Sequence, residues 1–245
     1  MKKIVAISDV HIKRPGDEAD QLLNRFLIHP EVISADYILL LGDVFDLMCG
    51  SHQEYLQLFE HHFEALKRLG SFGKKIYFFE GNHDVHLQSL FSKFFKKNEV
   101  IVSQIPVLEV IDGKIYYFSH GDEHEIDNIS YQRYIKIIRS SPLEFVANHL
   151  MPYKLLQLLG ENASKLSRKK GSKSFNAESV RERFRKGVIE NTQMETHFVI
   201  GGHSHVQDHF ELPETSAIYI NNGYALKTKT FIHIEGHKAQ FLSLG

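Results

Sequence analysis

Lys3-Ile-Val-Ala-Ile7 runs straight into Ser8-Asp9-Val10-His11, and this junction of a short apolar run with a polar motif decides the fold. The junction recurs four times. Tyr37-Ile-Leu-Leu-Leu41 leads to Gly42-Asp43-Val44-Phe45-Asp46, and Ile76-Tyr-Phe-Phe79 leads to Glu80-Gly81-Asn82-His83-Asp84. Ile115-Tyr-Tyr-Phe118 leads to Ser119-His120-Gly121-Asp122, and His197-Phe-Val-Ile200 leads to Gly201-Gly202-His203-Ser204-His205. Runs this short, rich in β-branched and aromatic residues, read as strands covered on both faces. In open α/β sheets ligands bind beyond the carboxyl ends of strands, where all five polar motifs fall.

Outward from these junctions the pattern alternates. Asp17 to Ile28, Gln53 to Leu69 and Val85 to Phe95 read as helices, the second from Leu56, Phe59, Phe63, Leu66 and Leu69 at spacings of three and four, with Gly70 as a stop. Asp112-Gly113 between Val107–Val110 and Lys114–Phe118 signals a two-residue hairpin. Ala217 to Ile220 adds a strand, and Thr228 to Ile234 with Lys238 to Leu242 a second hairpin. The reading is an α/β sandwich with a mixed sheet, parallel early in the chain. Residues 125–196 differ: helical by pattern, they separate two strands of the body and carry an excess of five positive charges, against six negative for the rest. They read as an inserted cap on a body made of 1–124 and 197–245; helices lying on the sheet flank are the alternative.

With 245 residues, 42% hydrophobic and 24% charged, the chain can bury a core without staples. A formal charge of −1 offers no overall field for nucleic acid, and no such partner is expected. The single cysteine, Cys49, excludes an internal disulfide framework and suits a reducing compartment. Ile4 to Ile7 is too short for a signal peptide, and no stretch approaches a membrane span.

Sixteen histidines stand out. The motifs assemble Asp9, His11, Asp43, Asn82, His120, His203 and His205, an imidazole and oxygen set that suits Mn²⁺, Fe or Zn²⁺. Seven ligands are too many for one open catalytic ion, but with one bridging carboxylate they serve two, the arrangement suited to in-line attack on phosphorus. Taken singly, an Asp after a strand is more often a turn former and a lone His a surface group. His29, His52, His61, His62, His149, His209, His233 and His237 are assigned that plain role, and His86, His124 and His197 are bystanders near the motifs.

The motif order D-x-H, G-D-x-x-D, G-N-H-D, H-G-D, G-H-S-H resembles the calcineurin-like metallophosphoesterases over the whole chain outside 125–196. The resemblance implies a four-layer α/β/β/α sandwich with a helical cap insertion and two divalent ions, Mn²⁺ ahead of Fe or Zn. It assigns Asp9, His11 and His205 to the first ion, Asn82, His120 and His203 to the second, and Asp43 between them. His83 would face substrate as general acid or charge stabiliser, oriented and charged by Asp46.

Asp127-Asn128-x2-Tyr131-Gln132, the basic run Ser167-Arg-Lys-Lys-Gly-Ser-Lys-Ser174 and the hydrophobic helices between look like the pyrophosphohydrolase family that splits UDP-2,3-diacylglucosamine in lipid A synthesis. That resemblance implies Asn82, Asn128, Tyr131, Lys170 and Lys173 as substrate contacts, a UDP-lipid substrate, and a cytoplasmic location with an anionic membrane surface as a peripheral partner. Lys165, Arg168, Lys169, Lys170 and Lys173 could equally be a solvated face. Leu143 to Leu159, interrupted by Pro152, reads as two short helices that suit a core or an acyl groove, with Phe175, Val180, Phe184, Val188 and Ile189 on a facing helix. Two positions depart from that family, which commonly carries Arg at the place of His83 and an acidic residue at that of Asn128. A phosphodiesterase, a phosphomonoesterase or protein phosphatase, a nuclease, and an interaction module on the same fold remain alternatives.

Overall fold

The computed structural model describes residues 1–160 and 176–245; the basic run 165–173 and Phe175 lie outside them. Two sheets dominate. The first runs β13 (Lys238–Ser243), β12 (Thr230–Glu235), β1 (Lys3–Ile7), β2 (Tyr37–Leu40), β4 (Lys75–Phe79), β6 (Ile101–Ser103). β1, β2, β4 and β6 are parallel, and β12 and β13 add an antiparallel edge. The second sheet runs β10 (Asp208–Glu211), β11 (Ile218–Asn221), β9 (Thr196–Gly201), β8 (Lys114–Phe118), β7 (Val107–Ile111).

Strand alternation divides the apolar residues among three cores. Ile4 and Ala6 point inward to Phe118, Phe198 and Ile200 between the sheets. Val5 and Ile7 point to the other face, where α1 (Glu18–Leu27) and α4 (Glu60–Ser71) supply Leu22, Phe26, Phe63 and Leu66. Val199, Leu212 and Tyr219 on the outer face of the second sheet pack on Val188 of α9 (Ala177–Asn191). Three apolar seams between four layers are the expected α/β/β/α sandwich. Val188 is thus buried against the sheet, Phe184 is buried with its ring 5.9 Å from that of His203, and Gly187 lies so close to the His124 carbonyl that a Cβ there would sit 1.9 Å away.

Several local readings need correction. The helix expected over Gln53 to Leu69 is two, α3 (Gln53–Leu58) and α4, joined at Phe59, whose φ of −117° and ψ of 27° leave the helical region. The helix expected from Val85 begins only at Gln88, as α5 (Gln88–Phe94), because Asp84–Val85 forms β5 and pairs with β3 (Met48–Cys49). Thr228 ends α10 (Ala225–Thr228) rather than opening β12. α2 (Pro30–Ser34), β6 and β10 were not anticipated.

Between β8 and β9 the described residues form α6 (Ile129–Ile138), α7 (Ser141–Phe145), a π-turn (Val146–Leu150), α8 (153–160) after Pro152, and α9. Tyr153 packs on Tyr55 at 5.1 Å between ring centroids and Gln157 donates to the Tyr55 hydroxyl, so these helices lean on α3. Phe145, Leu150, Leu158 and Leu159 nevertheless remain more than half exposed. No described helix is long and apolar enough to cross a membrane.

Candidate dinuclear metal site

The polar motifs converge because their strands end at one rim and their backbones turn sharply there. Asp9, His11, Asp43, His203 and His205 all have φ between 51° and 66°. This left-handed region costs an ordinary residue about 1–2 kcal/mol, and Asp and His enter it more readily than most. Residue types that suit a cation therefore also suit the turn that presents them.

Asp84 joins two of these loops. Its buried carboxylate accepts N–H bonds from Asp43, Val44, Phe45 and Gly81 at 2.7–3.3 Å. Burial and the neighbouring Asp43 charge push its pKa up, and the N–H donors oppose them. Asp43 Oδ1 in turn accepts from Asn82 N and His83 N, each at 2.9 Å. Burial works against the Asp43 charge, but His83, His120, His11 and these donors hold it ionised, far below the usual carboxylate range.

Around Asp43 the expected ligands fall into two groups. Donor atoms of Asp9, His11, Asp43 and His205 lie within 4.8 Å of one another, as do those of Asp43, His120 and His203. His11 Nε2 and His205 Nε2 are 3.2 Å apart, and His205 Nε2 stands 3.3 Å from Asp9 Oδ1. Burial drives His11 towards its neutral, metal-ligating form. His120 Nδ1–H donates to the Leu41 carbonyl at 2.7 Å, which leaves the Nε2 lone pair facing inward. That Nε2 and Asp9 Oδ1 are buried without a hydrogen-bond partner. Orphaned buried acceptors normally cost free energy, and a cation satisfies both. The donor set fits a pair of divalent ions.

His83 stands beside the first group, its ring 4.9 Å from that of His11. Asp46 touches it through the backbone. The main-chain carbonyl of Asp46, not its carboxylate, accepts from His83 Nδ1 at 2.9 Å, and Asp46 Oδ1 lies 3.6 Å from His11 Nδ1. A carboxylate oxygen of Asp46 also lies within 4.8 Å of ring nitrogens of both His11 and His83.

Residues between β8 and β9 reach the same rim. Tyr131 donates its hydroxyl to Asn82 Oδ1 at 3.2 Å, and its ring lies 5.0 Å from His203. Asn128 is engaged at both ends, capping α6 through Tyr131 N and donating to Glu125 Oε1 at 2.9 Å. Lys170 and Lys173 lie outside the described residues. Four residues not singled out by sequence also matter here. Glu125 Oε2 sits 3.1 Å from His203 Nε2. Arg139 grips Asp122 through both terminal nitrogens at 2.9 and 3.2 Å and donates to the Glu80 carbonyl at 3.0 Å. His86, treated as a bystander, ties the Ile138 carbonyl at the end of α6 at 2.6 Å. Tyr224 stacks on His205 at 5.4 Å. None carries a motif; only Glu125, five residues beyond His120, and His86, two beyond Asp84, lay near one.

Comparison with known proteins adds three results. The calcineurin-like phosphoesterase family profile matches residues 2–207. A UDP-2,3-diacylglucosamine hydrolase of Histophilus somni (strain 129Pt) is 26% identical over 246 residues, spanning 99% of this chain and 100% of its own, and one of Proteus mirabilis (strain HI4320) is 28% identical over 81% and 80%. A solved archaeal phosphodiesterase, 13% identical, overlays on 98% of both chains with a TM-score of 0.49.

Proposed function

The chain belongs to the calcineurin-like phosphoesterase family, and we propose that this metal-dependent hydrolase splits the diphosphate of UDP-2,3-diacylglucosamine or a related UDP-sugar lipid, releasing UMP and a lipid monophosphate. The observation that carries the reading is on α6. One face of that helix puts the Tyr131 hydroxyl on Asn82, while Ile129, Tyr134 and Ile137 stay 48–63% exposed. A polar contact at the metal rim and an uncovered apolar surface on one helix suit a substrate with a diphosphate and acyl chains. Alignment with the hydrolases named above extends through this segment.

In this reading Asp9, His11 and His205 hold the first ion, Asn82, His120 and His203 the second, and Asp43 lies between them. Mn²⁺ is proposed ahead of Fe or Zn. The pair, when bound, polarises the phosphoryl oxygens and lowers the pKa of an attacking water towards ~7. The chain's own groups do the rest. His83, with Nδ1–H committed to the Asp46 carbonyl, holds or gives a proton at Nε2 beside the reacting phosphoryl group. Tyr131 steadies Asn82. Residues 125–196 act as the substrate cap, with Asn128, Lys170 and Lys173 proposed as substrate contacts. A role in lipid A synthesis and peripheral contact of the basic insert with an anionic cytoplasmic membrane surface belong to the same proposal.

The test is hydrolysis by Mn²⁺-loaded protein of UDP-2,3-diacylglucosamine, bis-p-nitrophenyl phosphate, a phosphopeptide and single-stranded DNA. The expected outcome is the highest kcat/KM on the UDP-lipid. A wide preference for any other substrate overturns the assignment, and no turnover at full metal occupancy favours an interaction module.

A further inference from the structure

The second ion's histidine is held from outside the sandwich rim. Glu125 is buried, and its Oε2 lies 3.1 Å from His203 Nε2. Its other oxygen accepts from Asn128 Nδ2 at 2.9 Å and faces Arg183 Nη2 at 3.3 Å. Asn128 caps α6 and Arg183 belongs to α9, so both arms of the segment between β8 and β9 grip one carboxylate. An ionised carboxylate only accepts. His203 must therefore donate through Nε2–H, which leaves the lone pair on Nδ1. His120 reaches the equivalent state from the other ring nitrogen, through Leu41.

We infer that Glu125 is a positioning residue for the second ion, fixing the tautomer and ring plane of His203 and making affinity for that ion depend on the docked insert. The inference rests on the ligand sets proposed above. A carboxylate behind a ligating imidazole raises its basicity and holds its plane, and loss of such a partner costs 10–100-fold in metal affinity. The first group has no comparable tie to the insert among the described residues. Among the described residues its contacts include the sandwich loops and Tyr224, which stacks on His205 and lies 5.7 Å from His11. The two ions should therefore respond differently to one substitution.

The experiment is Mn²⁺ titration of the full-length protein by calorimetry, with the electron paramagnetic resonance signal of the coupled ion pair as a second readout. Wild type, Glu125→Ala, Glu125→Gln and Arg183→Ala are compared. Glu125→Ala should weaken one ion 10–100-fold, leave the other within about twofold, and lose the coupled signal at Mn²⁺ levels that saturate wild type. Glu125→Gln, which keeps an acceptor oxygen without the charge, should recover part of the loss. Arg183→Ala should shift the same ion in the same direction by less. Unchanged affinity for both ions in Glu125→Ala overturns the inference and leaves the dinuclear reading standing, as does equal weakening of both. Should Glu125→Ala fail to fold, Glu125→Gln and Arg183→Ala decide: unaltered binding in both overturns it. A wild type that binds fewer than two ions overturns the reading beneath.

Discussion

Gly81→Ala offers a quantitative test of how tightly the centre is built. A Cβ on Gly81 would lie 2.1 Å from Asp43 Oδ1, 2.5 Å from Asp43 N and 2.9 Å from Asp43 Cγ, all inside the 3.0 Å limit of real contacts. Swinging the carboxylate away clears the oxygen but not the nitrogen, so the two backbone segments must part. Asp84 resists, because its carboxylate holds Gly81 N and Asp43 N together. The Asp43 carboxylate, proposed to lie between the ions, must therefore move by about 1 Å, a misplacement that can cost ~10²-fold in rate. Overpacking of this kind should also destabilise by about 1–3 kcal/mol. Gly201→Ala is the matched control: Gly201, at the end of β9, is buried too, but its Cβ would meet nothing closer than 3.7 Å. The assay is kcat on bis-p-nitrophenyl phosphate at saturating Mn²⁺, with metal content and urea unfolding measured on the same samples. Gly81→Ala with two ions and wild-type turnover would refute the reasoning, and so would an equal loss in Gly201→Ala.

His83→Ala should keep both ions by elemental analysis while kcat falls ~10²–10⁴-fold; loss of metal and turnover together would count against its proton-transfer role. Arg139→Ala breaks a largely buried pair, with side chains 18% and 6% exposed, and should cost about 3–5 kcal/mol in urea unfolding. Burial, with His61 adjacent, lowers the His62 pKa from 6.5 to about 4 despite the Asp20 carboxylate. The unfolded chain therefore binds a proton between those values that the folded chain refuses, so stability falls as pH drops from about 6.5 to about 4 and levels below. The contribution is on the order of 3 kcal/mol. His62→Gln should give a shallower pH dependence of unfolding free energy, and an unaltered slope would contradict this account.

The architecture was readable where burial on both faces leaves a continuous apolar run, as in Ile4–Ile7 and Leu39–Leu41. It was unreadable where pairing alone makes a strand. Asp208–Glu211 is largely polar and gains its ladder only from β11. The break at Phe59 was hidden because the residue stays buried across the kink, so the spacing from Leu56 to Leu69 continues unbroken. In the site, expected ligands came together because each follows its strand at once and cannot travel far. Glu125 and Arg139 were missed for the opposite reason: each acts from the long connection, and only its folding brings them to the rim. For Asp46, spacing brought the right residue near His83 without telling carbonyl from carboxylate.

The left-handed turns at Asp9, His11, Asp43, His203 and His205 bear on how this sequence can evolve. Five strained positions at about 1 kcal/mol or more each approach the 5–15 kcal/mol that separates a folded domain from an unfolded one. Glycine at any of the three histidines would relax the backbone while deleting a proposed ligand; at Asp9 and Asp43 it would also remove the acceptor of backbone N–H groups. A lineage released from selection for hydrolysis should therefore drift towards glycine at the histidine sites and grow more robust as it falls silent. Selection for catalysis holds the working protein on the less stable side of that exchange.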